Sequence, residues 1–186
     1  MIEVVVGEDA SLWTIHKKLL CAQSSFFKAA INSSFREGAE KRVVLKEDDN
    51  DAFSIFVQWL YTGSFTTISL HILIRACVLG DKLGVRNFQC LAFDEIYSMN
   101  AGFSRFTPEQ VVWVAENTLP ESTLRKFAVD TLAFGVFNNI LELSNEDWCL
   151  LAPVHVEILQ RVQLMCKRQP VKVWRHKPRH HYNPVV

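Results

Sequence analysis

The sequence predicts an α+β fold: a small β-sheet with helices stacked on it, followed by an all-α helical extension. Three observations carry the prediction. Short β-like runs fall within the first 45 residues. From Phe53 onward, apolar residues recur three and four apart, as on one face of a helix. Helix-start signatures then punctuate the second half of the chain.

The first β-like run is Glu3-Val4-Val5-Val6, closed by the turn composition Gly7-Glu8-Asp9. Leu12-Trp13-Thr14-Ile15 is its candidate hairpin partner. A helical stretch follows, with Leu19, Leu20 and Phe27 among its apolar members and Ser24 or Ser25 as its candidate cap. Val43-Val44-Leu45 is the third β-like run.

The acidic segment Glu47-Asp48-Asp49-Asn50-Asp51 admits two readings. A calcium loop needs Gly at its sixth position and Glu at its twelfth; counting from Asp48 gives Phe53 and Trp59, so the spacing does not fit. Acids and Asn ahead of a helix also cap its free N–H groups and complement its dipole. The expected helix carries Phe53, Phe56, Val57 and Leu60, and stops near Thr62-Gly63.

The next helix shows Leu70, Leu73, Ile74, Cys77 and Val78, with Gly80 and Gly84 punctuating its end. Another runs from about Arg86 to Ser98, with Phe88, Leu91, Ala92 and Ile96 for one face, and Asn100-Ala101-Gly102 breaks it. Thr107-Pro108-Glu109-Gln110 has Thr as N-cap, Pro at the first helical position and Gln three after the cap. Val111, Val114 and Ala115 follow, and Leu119-Pro120 ends that helix. Ser122 opens a helix carrying Leu124, Phe127, Ala128 and Leu132. Ser144-x-x-Asp147 is a further cap signature, interrupted downstream by Pro153; Val156, Leu159 and Val162 continue toward Cys166. Beyond Cys166 periodicity ends, and Pro170, Pro178 and Pro184 among basic residues predict a disordered tail.

The 186 residues are 49% hydrophobic, with 20 Lys+Arg against 20 Asp+Glu. That excludes a wholly disordered chain and a globally basic nucleic-acid coat. The zero net charge is a sum of unequal parts. Residues 1–100 hold ten bases and twelve acids, residues 101–166 four bases and eight acids, and residues 167–186 six bases and no acid. The segment charges are −2, −4 and +6.

The start, Met1 to Asp9, lacks a basic n-region, and no window of about 18 residues is free of charge, so an intracellular, cytoplasmic or nuclear protein without a membrane span is expected. Five widely spaced cysteines, Cys21, Cys77, Cys90, Cys149 and Cys166, read as free thiols.

Catalytic chemistry finds no motif. The nucleophile elbow, the phosphate-binding loop, the dinucleotide fingerprint and the H-E-x-x-H pattern are all missing. No catalytic residue, metal ligand or cofactor is expected, and His16, His71 and His155 read as structural. In residues 167–186, His176, His180 and His181 admit a metal reading. Trp174 and Tyr182 among bases admit a nucleic-acid contact, and the basic run admits a nuclear import signal. A solvated tail with no dedicated partner stands beside these.

One pattern is specific. Ile15-His16-Lys17-Lys18-Leu19-Leu20, followed by Ser24-Ser25-Phe26-Phe27, resembles the start of a BTB/POZ domain. The resemblance continues through Phe35-Arg36-Glu37, the run at Val43-Val44-Leu45, the acidic segment, Phe53, Phe56 and Trp59-Leu60-Tyr61-Thr62-Gly63. Ala76 to Val85, with Asp81-Lys82-Leu83, resembles the family's next helix. The resemblance covers residues 1–100 and is nearest to BTB proteins of filamentous fungi. Residues 101–166 are loosely similar to a BACK extension, and residues 167–186 lie outside it.

The resemblance implies a protein–protein interaction module, not an enzyme. Many family members are substrate adaptors of cullin-type ubiquitin ligases and carry a hydrophobic-x-Glu motif just after the helix that follows the His-Lys start. Phe35-Arg36-Glu37 matches it in type and position, which makes these three the candidate partner-binding residues. His16, Lys17, Leu19, Leu20, Tyr61, Thr62 and Gly63 are the fold-signature residues. Family members usually carry a Ser-Asp pair before the first strand, and often an N-terminal helix exchanged across a homodimer. Here Met1-Ile2-Glu3 begins almost at the strand, so the resemblance does not carry that dimer route over. The alternative function is a nuclear or nucleic-acid-associated factor working through the basic tail.

Overall fold

The computed structural model describes residues 1–32, 42–66, 69–99 and 106–167. The chain divides into two compact units, Met1–Glu95 and Ile96–Val186.

The first unit opens with β1 (Ile2–Val6) and β2 (Ser11–Ile15), an antiparallel hairpin in which Val4 faces Trp13. Gly7 turns the chain with φ 77°, and its N–H donates to the Leu45 carbonyl at 3.0 Å. β3 (Arg42–Leu45) pairs with the other side of β1, in parallel, so the strand order is β2-β1-β3. Side chains alternate across a strand. Ile2, Val4 and Val6 on β1, with Ile15, Val43 and Leu45 beside them, are buried on the inner face.

The single helical stretch expected around Leu19 to Phe27 is two helices, α1 (Lys17–Gln23) and α2 (Ser25–Asn32). Ser24 breaks it. Its backbone is extended (φ −115°, ψ 119°), and its N–H still donates to the Leu20 carbonyl, closing α1. Its hydroxyl accepts from the Phe27 N–H at 3.1 Å, capping α2, and donates to the Leu83 carbonyl at 2.6 Å. Its carbonyl accepts from the Lys28 N–H, so buried Ser24 serves four backbone groups from one position.

α3 (Asn50–Thr62) starts where the acidic segment ends: the Asp49 carboxylate accepts from the Ala52 N–H at 2.9 Å. Its neighbour Asp48 pairs with Lys82 at 2.7 Å. α4 (Leu70–Lys82) packs on α3 and closes on Gly84. Val85 N–H donates to the Gly80 carbonyl and Gly84 N–H to that of Asp81, while Gly84 holds φ 63°, the two bonds of a Schellman cap. α5 spans Arg86–Met99, and the division between the units falls within it. Phe56 and Trp59 of α3 meet Phe88 of α5 with ring centroids 5.3 and 5.4 Å apart, and Phe53 meets Trp13 at 5.6 Å. This aromatic cluster lies in the core beneath the sheet.

In the second unit, α6 (Pro108–Glu116) carries the expected Thr107–Gln110 capping box. α7 (Thr123–Phe137) is the unit's centre: Leu124 and every residue from Phe127 to Gly135 are buried. α8 (Asn145–Leu150) carries the Ser144–Asp147 capping box, and Pro153 falls in a 3-10 turn over Ala152–Val154. α9 (His155–Lys167) packs on α7, as does α6. Val156 and Leu159, whose spacing marked this helix in the sequence, face solvent at 68% and 64% exposure; Ile158 is its buried residue.

Candidate protein-interaction surface

The fold-signature residues fall into two groups. Leu20 is fully buried and Leu19 half-buried, so both belong to the packing of α1. His16 and Tyr61 are exposed and meet each other: His16 Nδ1 lies 2.7 Å from the Tyr61 hydroxyl, which also accepts from the His16 N–H at 3.3 Å. His16 occupies the N-cap position of α1 without capping it, because its ring is turned toward Tyr61. Thr62 Oγ1 donates to the Gln58 carbonyl at 2.8 Å, and Gly63 closes α3 at φ 76°, its N–H donating to the Trp59 carbonyl. Thr62 and Gly63 thus terminate a helix. Lys17 is solvated, one residue along from His16.

Phe35, Arg36 and Glu37 lie outside the described residues. They fall in the chain between the end of α2 at Asn32 and the start of β3 at Arg42. The basic residues beyond Lys167 also lie outside the described residues.

The strand register creates a surface that sequence reading did not anticipate. Val5 of β1 pairs with Leu12 of β2 on one side and with Val44 of β3 on the other. Leu12 and Val44 are each 59% exposed, and they flank and shield Val5, which is 5% exposed. Glu3, paired with Thr14 and Arg42, forms the adjacent polar row. The sheet therefore presents Leu12 and Val44, one on either side of buried Val5, beside a polar row. Alternation within each strand hints at it, but the row depends on the parallel pairing of residues about 40 apart.

Local chemistry is sparse. Among the described residues, no group of three or more His, Cys, Asp or Glu converges as it would around a metal ion. The Cys77 thiol is pushed up by burial first, then by the nearby Asp81 and Cys90. A buried thiol held in its neutral form is a poor nucleophile. Arg75 Nε donates to His71 Nε2 at 2.8 Å, and His155 Nε2 sits 2.6 Å from the Trp148 carbonyl. Both histidines are engaged within or next to their own helices. Among the described residues, no helix is long and apolar enough to cross a membrane.

The geometry offers exposed side chains on a packed scaffold. Comparison with known families identifies the scaffold: the family model described as BTB/POZ domain matches residues 2–97. No curated protein matched the chain.

Proposed function

The chain belongs to the BTB/POZ domain family, and from that premise we propose that it is a docking module that recruits a protein partner, acting as a substrate adaptor of a cullin-type ubiquitin ligase. BTB/POZ domains are interaction modules. The adaptor reading rests on one further observation. The hydrophobic-x-Glu triplet Phe35-Arg36-Glu37 falls between α2 and β3, the interval in which cullin-binding relatives carry theirs. An aromatic side chain that fills a partner's pocket supplies a hot spot, and a neighbouring carboxylate sets polarity at the rim.

In this proposal residues 1–100 dock the ligase scaffold. Residues 101–166, loosely like a BACK domain, and the basic segment 167–186 read the substrate. No catalytic role is assigned to any residue. The test is a pull-down with a matched cullin, comparing the wild-type chain with Phe35→Ala combined with Glu37→Lys. Binding by the wild type and its loss in the double variant is the expected result. A wild type that binds no cullin ends the adaptor reading and leaves the interaction module without its assigned partner.

The charge of the C-terminal segment favours a second reading, a nuclear or nucleic-acid-associated factor. Six bases and no acid occupy residues 167–186. Such a segment contributes a salt slope of at most about −5 in nucleic-acid binding. Equal DNA and RNA affinity with and without residues 167–186 would exclude it.

A further inference from the structure

α9 is held to the second unit by few apolar side chains and by charge. Within the helix Ile158 is the one buried residue, and Val162 and Met165 are half-buried. The rest of its hold on α7 is ionic. Arg125 Nε donates to Glu157 at 3.2 Å, and Arg161 Nε lies 2.9 Å from Asp130 Oδ1. In each pair the α7 member is largely buried and the α9 member a third exposed.

A seam of this composition parts more readily than an apolar one. Charges on both sides take up water as the helices separate, and that hydration offsets much of the lost attraction. Apolar side chains have no such compensation. Local openings are drawn from the parts of a structure with the fewest buried apolar contacts.

The surroundings of the seam are anchored without it. Phe127 of α7 meets Tyr97 and Phe106, with ring centroids 5.6 and 6.0 Å apart. Arg125 Nη1 donates to the Ala115 carbonyl in the last turn of α6 at 2.8 Å. Ahead of α9, Leu151 and Val154 are buried, and His155 Nε2 lies 2.6 Å from the Trp148 carbonyl oxygen. The helix therefore has a fixed hinge at its first residue and a polar seam beyond it.

We propose that α9 is an internal latch. It swings off α7 about His155 while the rest of the second unit stays folded, and the α7 face it bares takes a partner's helix in its place. The occupant of that face is defined by the one already seated there. It carries an acid, an aliphatic residue next to it and a base four residues after the acid, as in Glu157-Ile158-x-x-Arg161. Arg125 receives the acid and Asp130 the base. A helix with the two charges exchanged, bound the same way, meets like charge at both ends. While closed, the latch lowers a partner's apparent affinity by the fraction of chains that are shut. The latch lies in residues 101–166 and stands whether or not residues 1–100 bind a cullin.

Hydrogen exchange of the full chain, read by mass spectrometry, tests the opening. In the wild type the amides of α9 exchange well before those of α7. In Ile158→Asp the α9 amides lose their protection while those of α7 remain protected. Exchange of α9 and α7 together in the wild type, or loss of protection from both in Ile158→Asp, overturns the latch.

A labelled peptide of residues 155–167 tests the bared face. It binds the Ile158→Asp chain about tenfold tighter than the wild type, whose own α9 competes from its tether. A peptide carrying Glu157→Arg with Arg161→Glu does not bind. Equal binding of the two peptides, or no binding of the native peptide to the Ile158→Asp chain, overturns the proposal.

Discussion

The hydroxyl of Tyr61, in the last turn of α3, lies 2.7 Å from Nδ1 of His16, which begins α1. The same hydroxyl accepts from the His16 main-chain N–H. Two elements 45 residues apart in sequence are thus joined by one phenol. Tyr61→Phe keeps the ring and removes both bonds. It is expected to cost about 1 kcal/mol, because both partners can turn to water. Urea denaturation checks it, and a variant as stable as the wild type would show the pair to be incidental.

Ser24 and Gly84 form a tighter joint between α1, α2 and the end of α4. Ser24→Ala strands the Phe27 N–H and loses the bond to the Leu83 carbonyl; about 1–3 kcal/mol is expected. Gly84→Ala is expected to cost more. Its Cβ would stand 2.0 Å from Ser25 Oγ, and φ at 63° is strained for any L side chain. Adding Ser25→Gly should relieve the clash and leave the backbone strain of about 1–2 kcal/mol. Full recovery in the double variant would contradict the assignment of strain.

Arg161 holds the buried carboxylate of Asp130 at 2.9 Å. Replacing Arg161 with Leu removes the opposing charge from a site poor in water. With Arg161 itself a third exposed, a loss of about 2 kcal/mol is expected. Asp130→Leu together with Arg161→Leu should be more stable than Arg161→Leu alone. The order of the three denaturation midpoints is the readout, and a double variant weaker than the single would overturn it.

The Cys77 thiol ties stability to alkaline pH. In the folded chain its ionisation is pushed well above the ordinary value near 9. Above pH 9 the unfolded chain loses this proton while the folded chain retains it, so unfolding becomes easier as pH rises. The contribution is at most about 1.4 kcal/mol per pH unit. Cys77→Ala should start less stable at pH 7 and fall less steeply between pH 9 and 11. Parallel slopes for the two proteins would exclude a linked proton at Cys77.

Local signals made much of this fold readable in advance. The Thr107–Gln110 and Ser144–Asp147 boxes and the Asp49 cap act within four residues, and each appears where the residues place it. The helix carrying Phe53, Phe56 and Leu60 buries the face its spacing marks. The failures depend on distant partners. Ser24 divides a helix because its hydroxyl reaches Leu83, 59 residues away. The Leu12–Val5–Val44 row needs the parallel register of β3. In α9 the spacing identified a helix correctly, but not which side faces the core. That choice falls to Arg125 and Asp130 on α7, which draw Glu157 and Arg161 inward.

The parallel seam between β1 and β3 has a kinetic meaning. β1 reaches β2 across residues 7–10 but reaches β3 across residues 7–41, which include both short helices. By loop-closure entropy the longer connection is dearer by about 2 kcal/mol before any contact forms. The hairpin can nucleate by itself, whereas β3 docks on a strand already in place. Residues 33–41, with Phe35 and Glu37 among them, belong to the span closed in that late step. Fast collapse that protects the hairpin amides, followed by slower protection of those bridging β1 and β3, is the order of events this connectivity imposes.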